Sequence, residues 1–547
     1  MSKKKEMNKT VVFQFPHPFI RKTEFIAGAM LALTAIFFHF LFLRHAGAFW
    51  RDEVNSIAMA TMPSLSDTWY HLRYDSFPML LSVVLRPWIW IVRGNELGIR
   101  VFGFLVGVSM LGALWLNGRW LGYRVPLLSV ALFVFHPLSL QIGDSIRPYG
   151  VGILLMLLTF GLAWKVTEQA RPWQIAAGTI VAILSVQCLY QNAFFVLAVI
   201  VAGIIITLRD KRWERAVLLA AMGMAAAVSL LPYYQSIKKS SDWSMIIKSP
   251  IDFPLIWDTL CETLNVSGWI TFKFWIGLFI LGTCVFIYFQ VVRLNSAISR
   301  PRKDVALFCA ATVMIYAVLY LFFLRFVCVT VRAWYYLPLM AAAAVLLDVM
   351  FCGLNRWNVL RIVLAILAAA ATFGAGWKTA HVRQTNMDVV ASTLEKSAGK
   401  DDLIIVNPWY LAVSFQRYYH GPASFTTLPP IEDHKVHRYD LLKAKMASID
   451  PVGPVLSEIS RTLKSGGSVW IVGGLNIPPK NDLPQMLPPA PYGIYGWAES
   501  AYTDTWSRYV GYYIVSHGIT DQIMTPGMDK PVNPYETCPI VNVQGWQ

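Results

Sequence analysis

The sequence predicts a polytopic α-helical membrane protein of about eleven crossings, followed by a soluble α/β domain. Three observations carry that prediction. Hydrophobic residues make up 56% of the 547 positions and charged residues only 14%, with a mean hydropathy of +0.49, well above ordinary globular usage. Apolar stretches near the length of one bilayer crossing recur from Phe25 to Trp377. From about Lys378 onward the composition changes to short apolar runs separated by polar and glycine-rich turns.

The first stretch, Phe25 to Leu43, has no charged residue and follows Lys3, Lys4, Lys5, Lys9, Arg21 and Lys22. No cleavage site follows Leu43, so it reads as a retained anchor rather than a signal peptide. Further spans are expected at Leu97–Asn117, Pro126–Ile142, Tyr149–Trp164, Trp173–Tyr190, Ala193–Leu208, Ala216–Leu231, Phe272–Val291, Val305–Leu324, Tyr336–Cys352 and Val359–Trp377. With the amino terminus inside, the inner turns hold Arg119 and Arg124, Lys165 and Arg171, Arg209 to Arg215, Arg293 to Lys303, and Arg356. Every inner turn is then basic, which places the carboxyl terminus outside. Met79–Val92 is short and contains Arg86-Pro87, so it reads as an interfacial helix in the first outer loop. The same distribution accounts for the net charge of +15 without a nucleic-acid partner.

The organisation is therefore a transmembrane domain over 1–377, with a large first outer loop at 44–96, and an outer α/β domain over 378–547. In the latter, Asp401 to Asn407 and Ser468 to Gly473 read as buried strands. Val455–Leu463 reads as a helix stopped by Lys464-Ser465-Gly466-Gly467. The glycine pairs do not follow a nucleotide-loop spacing, and the His434-x-x-His437 stretch reads as solvated rather than metal-binding. Seven scattered cysteines suggest neither a zinc site nor a disulfide framework.

Chemistry concentrates in the outer loops. Asp52 and Glu53 sit just past the first span, where ionisable groups are costly unless paired or wetted. Asp75 follows in the same loop. Cations at Arg147, Lys238, Lys239, Arg325 and Arg332, with Tyr149 beside the first, complete the set. Carboxylates facing guanidinium groups beside apolar walls suit sugar transfer from a phosphate-linked lipid: an acid takes the proton of the attacking hydroxyl, and the cations hold the departing phosphate. A transporter or flippase of lipid-linked saccharides also needs intramembrane charge, but no two-fold repeat of broken helices is visible. A membrane scaffold for the outer domain leaves Asp52, Asp75 and Arg147 unexplained.

Phe49-Trp50-Arg51-Asp52-Glu53, Asp75-Ser76-Phe77-Pro78, Glu96-Leu97-Gly98-Ile99-Arg100, Ser145-Ile146-Arg147-Pro148-Tyr149 and Arg332-Ala-Trp-Tyr335-Tyr336-Leu337-Pro338 occur in this order on one side of the membrane. Together they resemble the clan C (GT-C) glycosyltransferases that use polyprenyl-phosphate-linked sugars, the branch with protein O-mannosyltransferases and the lipid A aminoarabinose transferase. The resemblance implies a multi-pass enzyme of the bacterial inner membrane, active on the periplasmic side. It would move a hexosyl or pentosyl group, with inversion, to a lipid, polysaccharide or protein acceptor. It implies Asp52 as catalytic base, Asp75 as an acid near the substrate, and Arg147 near the donor phosphate. The outer-loop residues themselves add Glu53 to the catalytic acids and Tyr149, Lys238, Lys239, Arg325 and Arg332 to the donor-phosphate contacts. Asp52 and Asp75 would be the ligands if a divalent Mg or Mn ion takes part. Ser76-Phe77-Pro78 and Leu189-Tyr190-Gln191-Asn192 depart from the family pattern, which bears on acceptor identity and metal dependence.

Overall fold

The computed structural model describes residues 18–547 except 250, 266–268, 292–299, 328–330, 353–357, 480–481 and 528. Lys3, Lys4, Lys5, Lys9, Arg293 and Arg356 lie outside the described residues. Eight helices among the described residues are long and apolar enough to cross a bilayer: Lys22–His45, Glu96–Trp120, Pro148–Glu168, Asn192–Arg209, Trp213–Ile247, Lys303–Val327, Ala333–Cys352 and Val359–Ala380. Their outward faces carry exposed Phe25, Met30, Leu33, Val217, Met224 and Met314, apolar surface suited to lipid rather than water. The chain is a multi-pass membrane protein.

The expected count of eleven is not met by long helices. Pro172–Cys188 and Phe272–Cys284 are apolar but short. Pro126–Ile142 is not one helix at all: it breaks into Leu127–Ser129, a π-helical turn at Val130–Val134, and Pro137–Gly143. Pro137 removes a backbone donor where a continuing helix needs one. The break is tolerated because this segment is buried inside the protein, with Leu127 to Phe133 at most 1% exposed. Its amides find internal partners; Leu128 and Ser129 donate to the Asp348 carboxylate at 3.0 and 2.9 Å.

Between the first two long helices, the connecting loop folds into Arg51–Ala60, Leu65–His71 and Leu80–Ile91. Ser64 and Asp67 form a reciprocal cap that starts the middle one. Leu80–Ile91, too short to span a bilayer, buries Leu81, Leu85 and Ile89 while Trp90 and Ile91 stay exposed. The turn from Pro137–Gly143 into Pro148–Glu168 lies directly on Glu96–Trp120, because Gly103 and Gly107 leave no side chain where Asp144 must pass. His39 of the first helix holds that turn through Asp144 at 2.8 Å.

After Ala380 the chain builds a five-stranded sheet in the order β2-β1-β3-β5-β4, with β1 Leu403–Asn407, β2 Ser424–Thr427, β3 Val469–Gly473, β4 Gly518–Met524 and β5 Ile540–Trp546. β1 pairs parallel with β2 and β3, while β5 pairs antiparallel with β3 and β4. β1 and β3 are buried at every residue, as strands covered by helices on both faces must be. Gly453–Lys464 covers one face and ends at Gly466, whose φ of 85° is the left-handed geometry the expected stop requires.

The sheet domain is seated on this loop through its β1 end. Val413 of the short helix Ala412–Tyr418 joins Phe49, Val54, Ile57 and Ile146 in one apolar cluster, and the Phe49 amide donates to the Tyr418 hydroxyl at 2.8 Å. Gln384 N–H donates to Ala46 C=O at 2.8 Å, tying the domain's entry to the end of the first helix.

Candidate active site

Asp52 occupies the first turn of Arg51–Ala60, where the free amides of a helix start favour a negative charge. Its side chain is 26% exposed, enough to be reached from outside. Three cationic or donor groups converge on it. Arg147 Nη2 lies 3.7 Å from Oδ2, Arg51 Nε lies 3.7 Å from Oδ1, and His437 Nε2 donates to Oδ1 at 3.2 Å. Burial alone would raise this carboxyl, but Arg147, the His437 hydrogen bond and Arg51 outweigh it and hold it well below the usual carboxylate range.

Arg147 is fixed by its other contacts. Nη1 donates to the Asp52 carbonyl at 3.0 Å and to Ser56 Oγ at 3.1 Å, and the guanidinium sits 4.7 Å above the Phe77 ring. Pro148 at the first helical position keeps Arg147 out of the helix, in extended backbone with φ −132° and ψ 159°. Its Nε has no hydrogen-bond partner among the described residues. Tyr149 packs edge-on against Phe77 at 5.6 Å and faces Tyr335 at 6.5 Å, an aromatic wall behind the guanidinium.

Asp75 joins through an intermediary. Its Oδ2 accepts from Asn55 Nδ2 at 3.4 Å, and its Oδ1 accepts the Ser76 amide at 2.7 Å. Burial outweighs the pull of Arg147 and that amide, so this carboxyl is pushed up. The two acids therefore differ: Asp52 is held below the usual carboxylate range by its cationic neighbours, whereas burial pushes Asp75 above it.

Glu53 is placed quite differently from its neighbour. It is fully buried, and it takes Arg100 Nη1 at 2.8 Å, the Ile146 amide at 3.0 Å and the Trp50 amide at 3.3 Å. Arg100 in turn donates to the carbonyls of Gly47 and Ala48 at 3.0 and 2.6 Å. This network sews the helix start to the Arg147 turn, and it leaves Glu53 no face for a substrate.

The expected cations do not all gather here. Lys238 and Lys239 lie exposed on Tyr234–Ser244, and Lys239 lines a separate cavity with Arg73, Trp243 and Asp440. Arg325 is exposed near the end of Arg300–Val327, and Arg332 is exposed just before Tyr335. None of these four is placed against Asp52.

His437 is the group the sequence did not single out. The His434-x-x-His437 stretch is not solvated: both histidines are 8% exposed. The His437 amide donates to Asn55 Oδ1 at 2.9 Å while its ring meets Asp52, so one residue touches two members of the cluster. Its Nδ1 is buried without a partner among the described residues. A second link from the sheet domain is Glu536, fully buried and paired with Arg51 at 2.5 Å. Burial, against the opposing Arg51 charge, pushes Glu536 up to about 7.

No group of three or more His, Cys, Asp and Glu that could hold a metal occurs among the described residues. The Asp52 oxygens face two guanidiniums and an imidazole, the positions a cation would need.

No protein-family profile and no curated protein matches the chain. Solved structures do. ArnT from Cupriavidus metallidurans bound to undecaprenyl phosphate matches with 11% identity over 81% of this chain and 92% of its own, at a TM-score of 0.51. The apo state of the same protein matches with 13% identity over 83% and 93%, at 0.52. Archaeal oligosaccharyltransferase AglB from Archaeoglobus fulgidus, in complex with an inhibitory peptide and a dolichol-phosphate, matches with 11% identity over 83% and 70%, at 0.48. The arrangement of membrane helices, loop helices and appended domain is the GT-C fold, as the sequence motifs led us to expect.

Proposed function

We propose that this protein transfers a sugar from a polyprenyl-phosphate-linked donor to a hydroxyl-bearing acceptor on the outer face of a bacterial inner membrane, with its amino terminus cytoplasmic. The observation that carries the reading is the Asp52–Arg147 pair: a charged, partly exposed carboxylate 3.7 Å from a fixed guanidinium at the rim of a GT-C fold. The undecaprenyl phosphate bound to ArnT supports the donor class.

The acceptor hydroxyl gives its proton to Asp52 as its oxygen attacks the anomeric carbon. The bond from that carbon to the phosphate oxygen breaks, its electron pair leaves with the phosphate, and Arg147 holds the resulting polyprenyl phosphate. Attack from the face opposite the phosphate inverts the anomeric centre. An acid held this low is a weak base in the resting protein. The donor phosphate corrects that: once it engages Arg147, less positive charge faces Asp52, and its proton affinity rises where the proton must be taken. Asp75 and Asn55 position the acceptor side, Glu53 holds the framework, and Tyr149 walls the phosphate. Arg332 comes near enough to Tyr335 to meet the lipid phosphate on entry, while Lys238, Lys239 and Arg325 are left for more distant contacts.

The test offers purified protein either a polyprenyl-phosphate sugar or the matching sugar nucleotide, with membrane lipid extract as acceptor. Transfer from the lipid-linked donor alone is expected. Turnover with the nucleotide in the absence of any lipid carrier would overturn the donor class and the role of Arg147.

A further inference from the structure

A second cavity opens in the sheet domain, of about 300 Å³, outside the carboxyl ends of β1 and β3. Its place follows from the topology. The chain leaves β1 toward β2 on one side and returns to β3 on the other, so the connections diverge at the β1–β3 pair. Open sheets with parallel strands bind ligands in the crevice at that point. The walls are Tyr410, Leu411, Gly473, Gly474, Tyr535 and Thr537. Two phenols, a hydroxyl and glycine backbone suit a ligand with flat apolar faces and many hydroxyls, and no charged side chain lines the cavity among the described residues. The volume is at the lower end of ligand pockets, ~300–1,000 Å³, enough for one or two sugar rings.

The cavity shares a wall with the Asp52 cluster. The Arg51 guanidinium lies 4.2 Å above the Tyr410 ring and 3.7 Å from Asp52. We infer that this cavity is a subsite for a neutral saccharide unit of the acceptor, holding it while a neighbouring hydroxyl is presented to Asp52. The inference rests on the proposed glycosyl transfer for its role, though not for the binding itself.

Gly474 provides the sharpest probe. A Cβ placed there meets no atom within 4 Å, and its backbone is outside the left-handed region, so Gly474→Leu fills the space without strain in the fold. Tyr535→Ala removes a ring that is 72% exposed, a change the fold also tolerates. Full-length protein in nanodiscs is tested by saturation-transfer NMR with maltose, lactose and cellobiose as probes, with thermal melting as the control for folding. At least one disaccharide is expected to bind, its signal to vanish in Gly474→Leu and to weaken in Tyr535→Ala. In transfer assays both variants raise the acceptor KM about tenfold, the size of one lost ring contact, with kcat little changed. Absence of binding by all three sugars, or binding that persists unchanged in folded Gly474→Leu, overturns the subsite. Binding that behaves as expected in a protein that transfers no sugar leaves the subsite standing and overturns the proposed reaction instead.

Discussion

Two ion clusters at opposite ends of the first and last long helices use the same side-chain types toward different ends. Near the start of the first helix, Asp348 takes Arg361 at 3.0 Å, the Leu128 and Ser129 amides, and the Ser129 hydroxyl at 2.6 Å, while Arg361 also pairs with Glu24 at 2.8 Å. Asp348 and Arg361 are at most 1% exposed. Beyond the other end, Asp52 meets Arg147 and Arg51 only at 3.7 Å, stays 26% exposed, and leaves the Arg147 Nε and His437 Nδ1 without partners among the described residues. The Asp348 cluster is saturated, as a buried pair must be to survive loss of water. The Asp52 cluster keeps capacity in hand, which is what a site that binds and reacts requires. Glu53 shows that the distinction holds even between adjacent residues: it belongs with the saturated kind.

The comparison can be broken first at the Asp348 cluster. Asp348→Ala strands a buried guanidinium, a hydroxyl and two amides, and removing one partner of a buried pair costs about 3–5 kcal/mol. We expect a large loss of folded protein by detergent-solubilised melting, with unchanged turnover per folded molecule. Normal melting with lost turnover would place Asp348 in the site and dissolve the contrast.

Arg147→Lys keeps the charge but loses the fork. Donor use should fall by about tenfold to a hundredfold, the ~1.5–3 kcal/mol of one charge-assisted contact. The effect should lie in the affinity for polyprenyl phosphate, measured by direct binding, with melting unchanged. His437→Ala removes the hydrogen bond that orients the Asp52 carboxylate, and this loss of orientation outweighs the gain in proton affinity, so a drop of roughly tenfold in turnover is expected. The acid limb of the pH–rate profile should shift upward, because Asp52 loses a contact that lowers it. A profile that does not move would reduce His437 to a packing role.

The smallest effect concerns Glu536. Its folded pKa is raised from the ordinary 4.5 to about 7, so between those values the folded state holds more protons than the unfolded one. Stability from this group is fully present below 4.5 and lost as pH rises through about 7. Melting temperature should therefore fall across that window, and Glu536→Gln should flatten this part of the slope.

What was legible in the sequence follows from locality. Asp52 announced itself by standing just after an uncharged span, and β1 and β3 by five consecutive apolar-rich residues between turns. The Asp52–Arg147 pairing was suggested by motif order along one membrane side. His437 was not readable, because its meaning comes from contact with a residue 385 positions earlier. β5 was hidden for a related reason: it runs antiparallel beside β3 and is only partly buried. The break at Pro126–Ile142 was masked by an apolar composition that a buried irregular segment and a membrane helix share. Lys238, Lys239 and Arg325 were grouped by charge and side of the membrane, and position along the chain does not specify distance.

The central claim is that Asp52 takes the acceptor's proton rather than merely anchoring Arg147. Asp52→Asn keeps the size and the ability to accept from His437, but removes the base. The decisive measurement compares single-turnover transfer rate with polyprenyl-phosphate binding in the purified Asp52→Asn protein. The account predicts transfer slowed by ~10²–10⁴-fold with donor binding within a few-fold of the unsubstituted protein. Transfer within a few-fold of normal, or a loss explained wholly by failed donor binding, would contradict it.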